Sequence, residues 1–188
     1  MTRCIALLGS ETTYPFLGHL EAQVEQDGNL ISVAARFAHR STPKMTFQHV
    51  RKVEADLRIR LVQIAAEPPN LSDWIRSVWD FWMQLSKSDY GPDAGSDLSV
   101  VIYIRCDGYE AISASGVTGV WGLIDDHWSP VVQLGHPMLG KTGVPHEFPG
   151  VFQLNRSSPL FVAAPHPDQV VSLEHDHIEK RLGGLNDR

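Results

Sequence analysis

The sequence predicts an α+β fold in which antiparallel strands are covered by helices. Two observations lead to this prediction. Runs of β-rich, alternating residues stand on both sides of two segments with the three- and four-residue apolar spacing of helices. The elements are predicted in the order strands, two helices, strands and a last helix. Two β-layers flanked by helices would account for this order. At 188 residues the chain is most simply one domain, residues 1–188.

The first part of the chain is predicted to form strands. Residues 3–8 are an apolar run typical of a buried strand. Residues 19–25 and 30–37 alternate in character, with Asp27, Gly28 and Asn29 between them. This pattern predicts a hairpin, because glycine accepts the positive φ that tight turns need.

Two amphipathic helices are predicted next. Apolar residues recur at helical spacing from Phe47 to Ile64, over about five turns. The sequence Glu-Pro-Pro at 67–69 ends this helix, and Asn70 or Ser72 can cap the second. On the second helix we expect Trp79 and Trp82 in the core, and Trp74 off the main apolar stripe.

Residues 97–124 predict a meander of three consecutive strands, 100–105, 110–115 and 117–124. The Asp107-Gly108 turn between the first two is a strong hairpin signal. Further short strands are predicted at 151–154 and 160–164, and a last helix at 172–182.

Composition excludes several functional classes. The net charge of −6 disfavours general binding to nucleic acid or to an anionic membrane. No segment is apolar enough to span a membrane, so a soluble cytoplasmic protein is the expectation. Cys4 and Cys106 are too few for a disulfide or metal framework, and each is interpreted as a small buried residue.

Three segments carry a family resemblance. Residues 30–39 read LISVAARFAH, residues 114–120 read ASGVTGV and residues 160–166 read LFVAAPH. With the element order, they resemble the type 2C metal-dependent serine/threonine protein phosphatases. At these places the family has the sequences Val-Ala-Asp-Gly-Met-Gly-Gly-His and Ala-Asn-Val-Gly-Asp-Ser-Arg and a strand that ends in Ser-Asp-Gly. The resemblance implies a four-layer αββα sandwich with two mainly antiparallel sheets flanked by helices.

The departures from the family pattern fall on its metal ligands. Ala35 and Arg36 stand at the first Asp-Gly, and Pro165 and His166 at the late one. Hard cations need clustered carboxylate oxygens, and a two-metal phosphatase needs them to hold its ions. The resemblance therefore implies a catalytically inactive domain that binds no metal or other cofactor. It would act as a regulatory or protein-interaction module.

The segment 135–150 is rich in glycine and proline, which predicts a long surface loop. Its side chains could meet another protein through polar and apolar contacts: His136, Met138, Lys141, His146 and Phe148. The alternative is an inert connection. The run 135–142 also has the spacing of a phosphate loop, but Pro145 follows too soon for the helix such a loop must open.

An enzymatic alternative stays open. It is a hydrolase of the same layered fold with a rebuilt site. A histidine-based metal site could use His146, His166 and His175, because imidazole suits zinc or iron. Thr2, exposed after removal of Met1, could instead act as an N-terminal nucleophile, although the first lysine that could tune it is Lys44.

Overall fold

The computed structural model describes residues 16–39, 47–86, 96–115, 117–124, 127–135, 151–154 and 160–163. In chain order the elements are β1 (Phe16–Gln26), β2 (Asn29–His39), α1 (Phe47–Ala65), α2 (Leu71–Ser86), β3 (Ser96–Cys106), β4 (Tyr109–Ser115), β5 (Val117–Ile124), β6 (His127–Gly135), β7 (Val151–Leu154) and β8 (Leu160–Ala163). Every described strand pair is antiparallel. The predicted α+β class is confirmed.

Two hairpins with the same turn build the larger sheet. The residues Asp27 and Gly28 connect β1 to β2 with φ values of 51° and 79°, and Asp107 and Gly108 connect β3 to β4 with 51° and 78°. Positive φ at both central residues defines a type I′ turn, whose twist matches that of the flanking strands. Both turns lie where the Asp-Gly pairs predict them.

The two turns are joined to each other by side chains. The Asn29 side-chain oxygen accepts the backbone N–H of Asp107 at 3.0 Å. The Arg105 guanidinium donates to the Gly28 carbonyl at 3.2 Å and to a Glu25 carboxylate oxygen at 2.9 Å. Polar groups of one hairpin therefore hold the turn of the next in register.

The strands form two sheets. In the larger, β1–β4 make a four-stranded antiparallel body that the short β7 extends beside β4; in the smaller, the order is β6-β5-β8. The predicted three-stranded meander is wrong at its last step, because β5 pairs with β6 and β8 and not with β4. A single residue separates Ser115 from Val117, and a hairpin needs at least two for its turn.

Both helices have the predicted bounds to within a few residues. The side-chain oxygen of Asn70 accepts the N–H groups of Ser72 and Asp73, each at 3.1 Å, and so caps α2. Asp73 in the first turn places negative charge at the positive end of the helix dipole. Asn70 is therefore the cap.

The core lies between the helices and one face of the larger sheet. Helix α1 packs mainly on β1, and α2 packs on β3 and β4. The helices contribute large, fully buried side chains to this core, namely three tryptophans from α2 and two leucines and an isoleucine from α1: Trp74, Trp79, Trp82, Leu57, Leu61 and Ile64. The interpretation of Trp74 as off the stripe is wrong. Its side chain is 1% exposed, because the buried face of α2 is wide enough to include it.

One buried hydrogen bond orients α2 on the sheet. The Trp79 indole N–H donates to the hydroxyl of Ser113 on β4 at 2.9 Å. Both residues are fully buried. Buried polar groups cost free energy unless they are paired, so this bond favours one position of α2 over β4.

The opposite face of the larger sheet is also buried, but only on part of its width. It carries apolar and aromatic side chains at most 2% exposed on β2, β3 and β4: Leu30, Ala34, Val101, Tyr103, Ile112 and Ala114. On β1 the same face carries Glu21, Gln23 and Glu25, all exposed. Other parts of the chain, which we call the second layer, therefore cover this face of β2–β4 and leave it exposed on β1.

Several sequence predictions fall outside the described residues. These are the first strand at 3–8, the loop beyond 135 and the last helix at 172–182. Within the described part of the chain, neither helix is long and apolar enough to cross a membrane.

The buried face of α2 makes a stability prediction. Trp82→Ala should lower the free energy of unfolding by about 3–5 kcal/mol, because it leaves a large cavity in the core. Ile59→Ala on the outer face of α1, where the side chain is 60% exposed, should change it by less than about 0.5 kcal/mol. Urea unfolding of both variants measures the difference. A loss below about 1 kcal/mol for Trp82→Ala would contradict this packing.

Candidate functional site

The candidate site is the end of the larger sheet opposite the two turns, where β2 ends and β3 begins. We call it the sheet end. Backbone register brings Arg36 between His19 on β1 and Ser99 on β3. It also pairs Ala38 with Asp97 and His39 with Ser96. The sheet end thus holds five polar residues of β2 and β3, which are Arg36, His39, Ser96, Asp97 and Ser99, whereas residues 33–35 and 100–104 are apolar or aromatic.

Ala35 lies on the helix side of β2. It is fully buried, pairs with Leu20 and Val100, and belongs to the core under the helices. A carboxylate in place of this methyl group would be buried among apolar side chains, which is costly without a partner. The position that the family resemblance assigns to a metal ligand is therefore part of the packing of this protein.

The other predicted metal-ligand positions are only partly placed. Arg36 belongs to β2 at the sheet end, and Pro165 and His166 lie outside the described residues. The structure therefore brings Ala35 and Arg36 together as neighbours on one strand. It does not test their relation to the late motif.

Asp97 and His39 are not among the site residues predicted from the sequence. Both come to the sheet end through the β2–β3 register. A local signal was available in the sequence, since Asp97 lies just before a β-rich apolar run and His39 lies just after another. Across the residues that the structure describes, no group of three or more His, Cys, Asp or Glu side chains is placed to hold a metal ion.

Charged side chains of α1 form a network beside β1. Glu54 accepts hydrogen bonds from Arg58 at 2.9 Å and from Arg51 at 3.0 Å. The hydrogen bond from Arg58 lowers the pKa of Glu54, against the opposing effect of burial, and Arg51 lowers it further. Arg58 also donates to the backbone carbonyl of Glu21 at 2.8 Å, so the network ties α1 to β1.

The Cys106 thiol is not poised as a nucleophile. Its side chain is 2% exposed and belongs to the core. Burial raises the pKa of this thiol, and the negative charge of Asp107 raises it further. Because the thiolate is the reactive form, Cys106 is a packing residue, as the sequence predicts.

The remaining candidate residues lie outside the described part of the chain. They comprise the side chains proposed to meet a partner and those of the enzymatic alternative: His136, Met138, Lys141, His146, Phe148, Thr2, Lys44 and His175. Their predicted roles therefore stay predictions.

Comparison with known proteins finds no matching family model and no matching curated protein. Among solved structures, the PP2C phosphatase domain with a fragment of the regulatory domain of the cell-fate determinant SpoIIE from Bacillus subtilis is similar. Its TM-score is 0.45 at 14% identity, over 72% of this chain and 37% of that chain.

A second similar structure contains the RsbU and RsbW domains of a Mycobacterium tuberculosis protein. Its TM-score is 0.39 at 14% identity, over 75% of this chain and 41% of that chain. The present chain thus spans less than half the length of either structure.

Burial of Cys106 makes a chemical prediction. Iodoacetamide should label it on the order of a hundredfold more slowly in the folded protein than in urea, because the chain must open first. Mass mapping of the labelled peptides separates Cys106 from Cys4. Labelling of Cys106 at similar rates in both states would show that the thiol is accessible.

Proposed function

We propose that this chain is a phosphatase-like domain without two-metal chemistry that acts as a regulatory or protein-interaction module. The observation that supports the proposal is the buried position of Ala35 beneath the helices. The family resemblance puts a metal-binding aspartate there, whereas this chain has a fully buried methyl group in the helix-side core. Neither the methyl group nor the neighbouring arginine can supply the anionic oxygen that a hard cation needs.

The burial of the larger sheet supports the layered arrangement of this proposal. The helices cover one face, and the apolar residues of β2–β4 on the other face are equally buried. In the four-layer αββα sandwich, the smaller sheet of β5, β6 and β8 would cover that second face. An antiparallel sheet with two apolar faces needs a covering layer on each of them, because a face exposed to solvent would carry polar side chains.

Phosphatase activity tests the catalytic part of the proposal. With p-nitrophenyl phosphate and either Mn²⁺ or Mg²⁺, we expect no turnover above the buffer rate, because the carboxylate at position 35 is missing. A steady-state absorbance assay with and without chelator measures it. Robust turnover that a chelator abolishes would overturn the proposal. Stoichiometric zinc, manganese or iron in the purified protein would instead favour the histidine-based hydrolase.

The interaction part of the proposal concerns residues 135–150. As a partner-binding loop this segment would use Phe148 as an exposed apolar contact, so Phe148→Ala should change the free energy of unfolding by less than about 0.5 kcal/mol. Urea unfolding measures this change. A loss of several kcal/mol would show that Phe148 is a core residue, and the loop would then lose its role as a binding element.

A further inference from the structure

The outer edge of β1 offers backbone groups for a further strand. Among the described strands, β1 pairs with β2 alone. The two-residue turn makes Gln26 and Asn29 a hydrogen-bonded pair, and such pairs alternate with non-bonded ones along an antiparallel ladder. The backbone N–H and C=O groups of Glu21, Gln23 and Glu25 therefore point away from β2.

The two sides of this edge differ in chemistry. On the side that the second layer leaves open, the side chains of Glu21, Gln23 and Glu25 form an exposed row, with Glu25 51% exposed beside Arg105. On the helix side, Leu20 and Ala22 are buried beneath α1. A strand added here would place alternate side chains beside an acidic row and beside an apolar layer.

Arg58 occupies the middle of the edge. Its guanidinium bonds the outward carbonyl of Glu21 at 2.8 Å and is held by Glu54 at 2.9 Å. An incoming strand would have to replace this guanidinium with a backbone N–H at the Glu21 carbonyl. Arg58 therefore competes with any strand that pairs along β1.

The acidic row discriminates between partners. A two-fold pairing of β1 with a second copy, centred on Glu21 or on Gln23, puts carboxylates directly opposite carboxylates, which is destabilising. A strand with Lys or Arg at every second position places opposite charges there instead. Small β-branched residues between the cations would meet the helix side.

We propose that the edge of β1 binds an extended basic peptide as an added strand, with Arg58 as the group it displaces. Main-chain hydrogen bonds to the outward groups of β1 provide the affinity, and the acidic row selects alternating cations. This surface lies on the described sheet. It depends neither on the loop at 135–150 nor on the phosphatase-like interpretation.

The probe is a fluorescent synthetic peptide in which Lys alternates with Val, and its control has the same composition with all lysines in one block. We expect saturable binding of the alternating peptide by anisotropy and at least tenfold weaker binding of the block peptide. Amide hydrogen exchange by NMR then locates the contact. Exchange at Glu21, Gln23 and Glu25 should slow, while that of Ala22 and Val24, already paired to β2, should not change.

Two matched pairs of variants separate pairing from general charge attraction. Glu21→Lys should weaken the alternating peptide about fivefold, whereas Glu67→Lys, the same charge reversal on an exposed residue beyond α1, should leave its affinity unchanged. Arg58→Ala should tighten binding about fivefold by removing the competing donor. Arg60→Ala, on the same helix but at a residue that bonds to Gln63, should leave the affinity for the peptide unchanged.

Three results would overturn the proposal. They are equal binding of the two peptides, unchanged exchange at the three outward amides, and slowing of those amides by raised protein concentration without peptide, which would identify a second copy as the occupant. None of them bears on the phosphatase assay or on Phe148. Failure here is therefore distinguishable from failure of the proposed function.

Discussion

The fold depends on burying both faces of the strands β2, β3 and β4 at once. From position 100 to 104, β3 has five consecutive apolar or aromatic residues, all fully buried, alternately beneath the helices and on the other face. Burial of apolar area is the largest favourable contribution to folding, so these strands require a layer on each side. The two helices supply one layer, with α1 packed mainly on β1 and α2 packed on β3 and β4.

A strand that is apolar on both faces cannot set its own register by alternation. In this protein the strand register is set by the turns at the ends of the strands and by the polar side chains beside them. The Asp-Gly turns determine which residues pair within each hairpin, and the bonds of Arg105 and Asn29 determine how the second hairpin lies beside the first. On α2, the bond from Trp79 to Ser113 adds a polar contact within the core. A few directional bonds thus select one arrangement among many that bury similar apolar area.

The same register determines what each end of the sheet offers. It places Arg36 beside Ser99 and Ala38 beside Asp97 at the sheet end, and it turns Ala35 toward the helices. The boundary of the second layer leaves β1 as an open acidic edge with Arg58 across it.

The sequence by itself determined the local structure of the described part. Asp27-Gly28 and Asp107-Gly108 demanded tight turns through φ, the pair of Asn70 and Ser72 located the start of α2, and the apolar spacing of α1 identified its buried face. Such features depend on contacts within a few residues, which is why they can be read from sequence.

Only the tertiary structure decided the features that depend on distant residues. It placed β5 in the second sheet, buried Trp74, and brought Asp97 and His39 to one end through strand register. It also showed that Ala35 packs beneath the helices and that, among the described strands, β1 is the outermost of its sheet, with Glu21, Gln23 and Glu25 exposed. Each of these features depends on which strands lie next to each other. The residues close in sequence to a given position do not determine that arrangement.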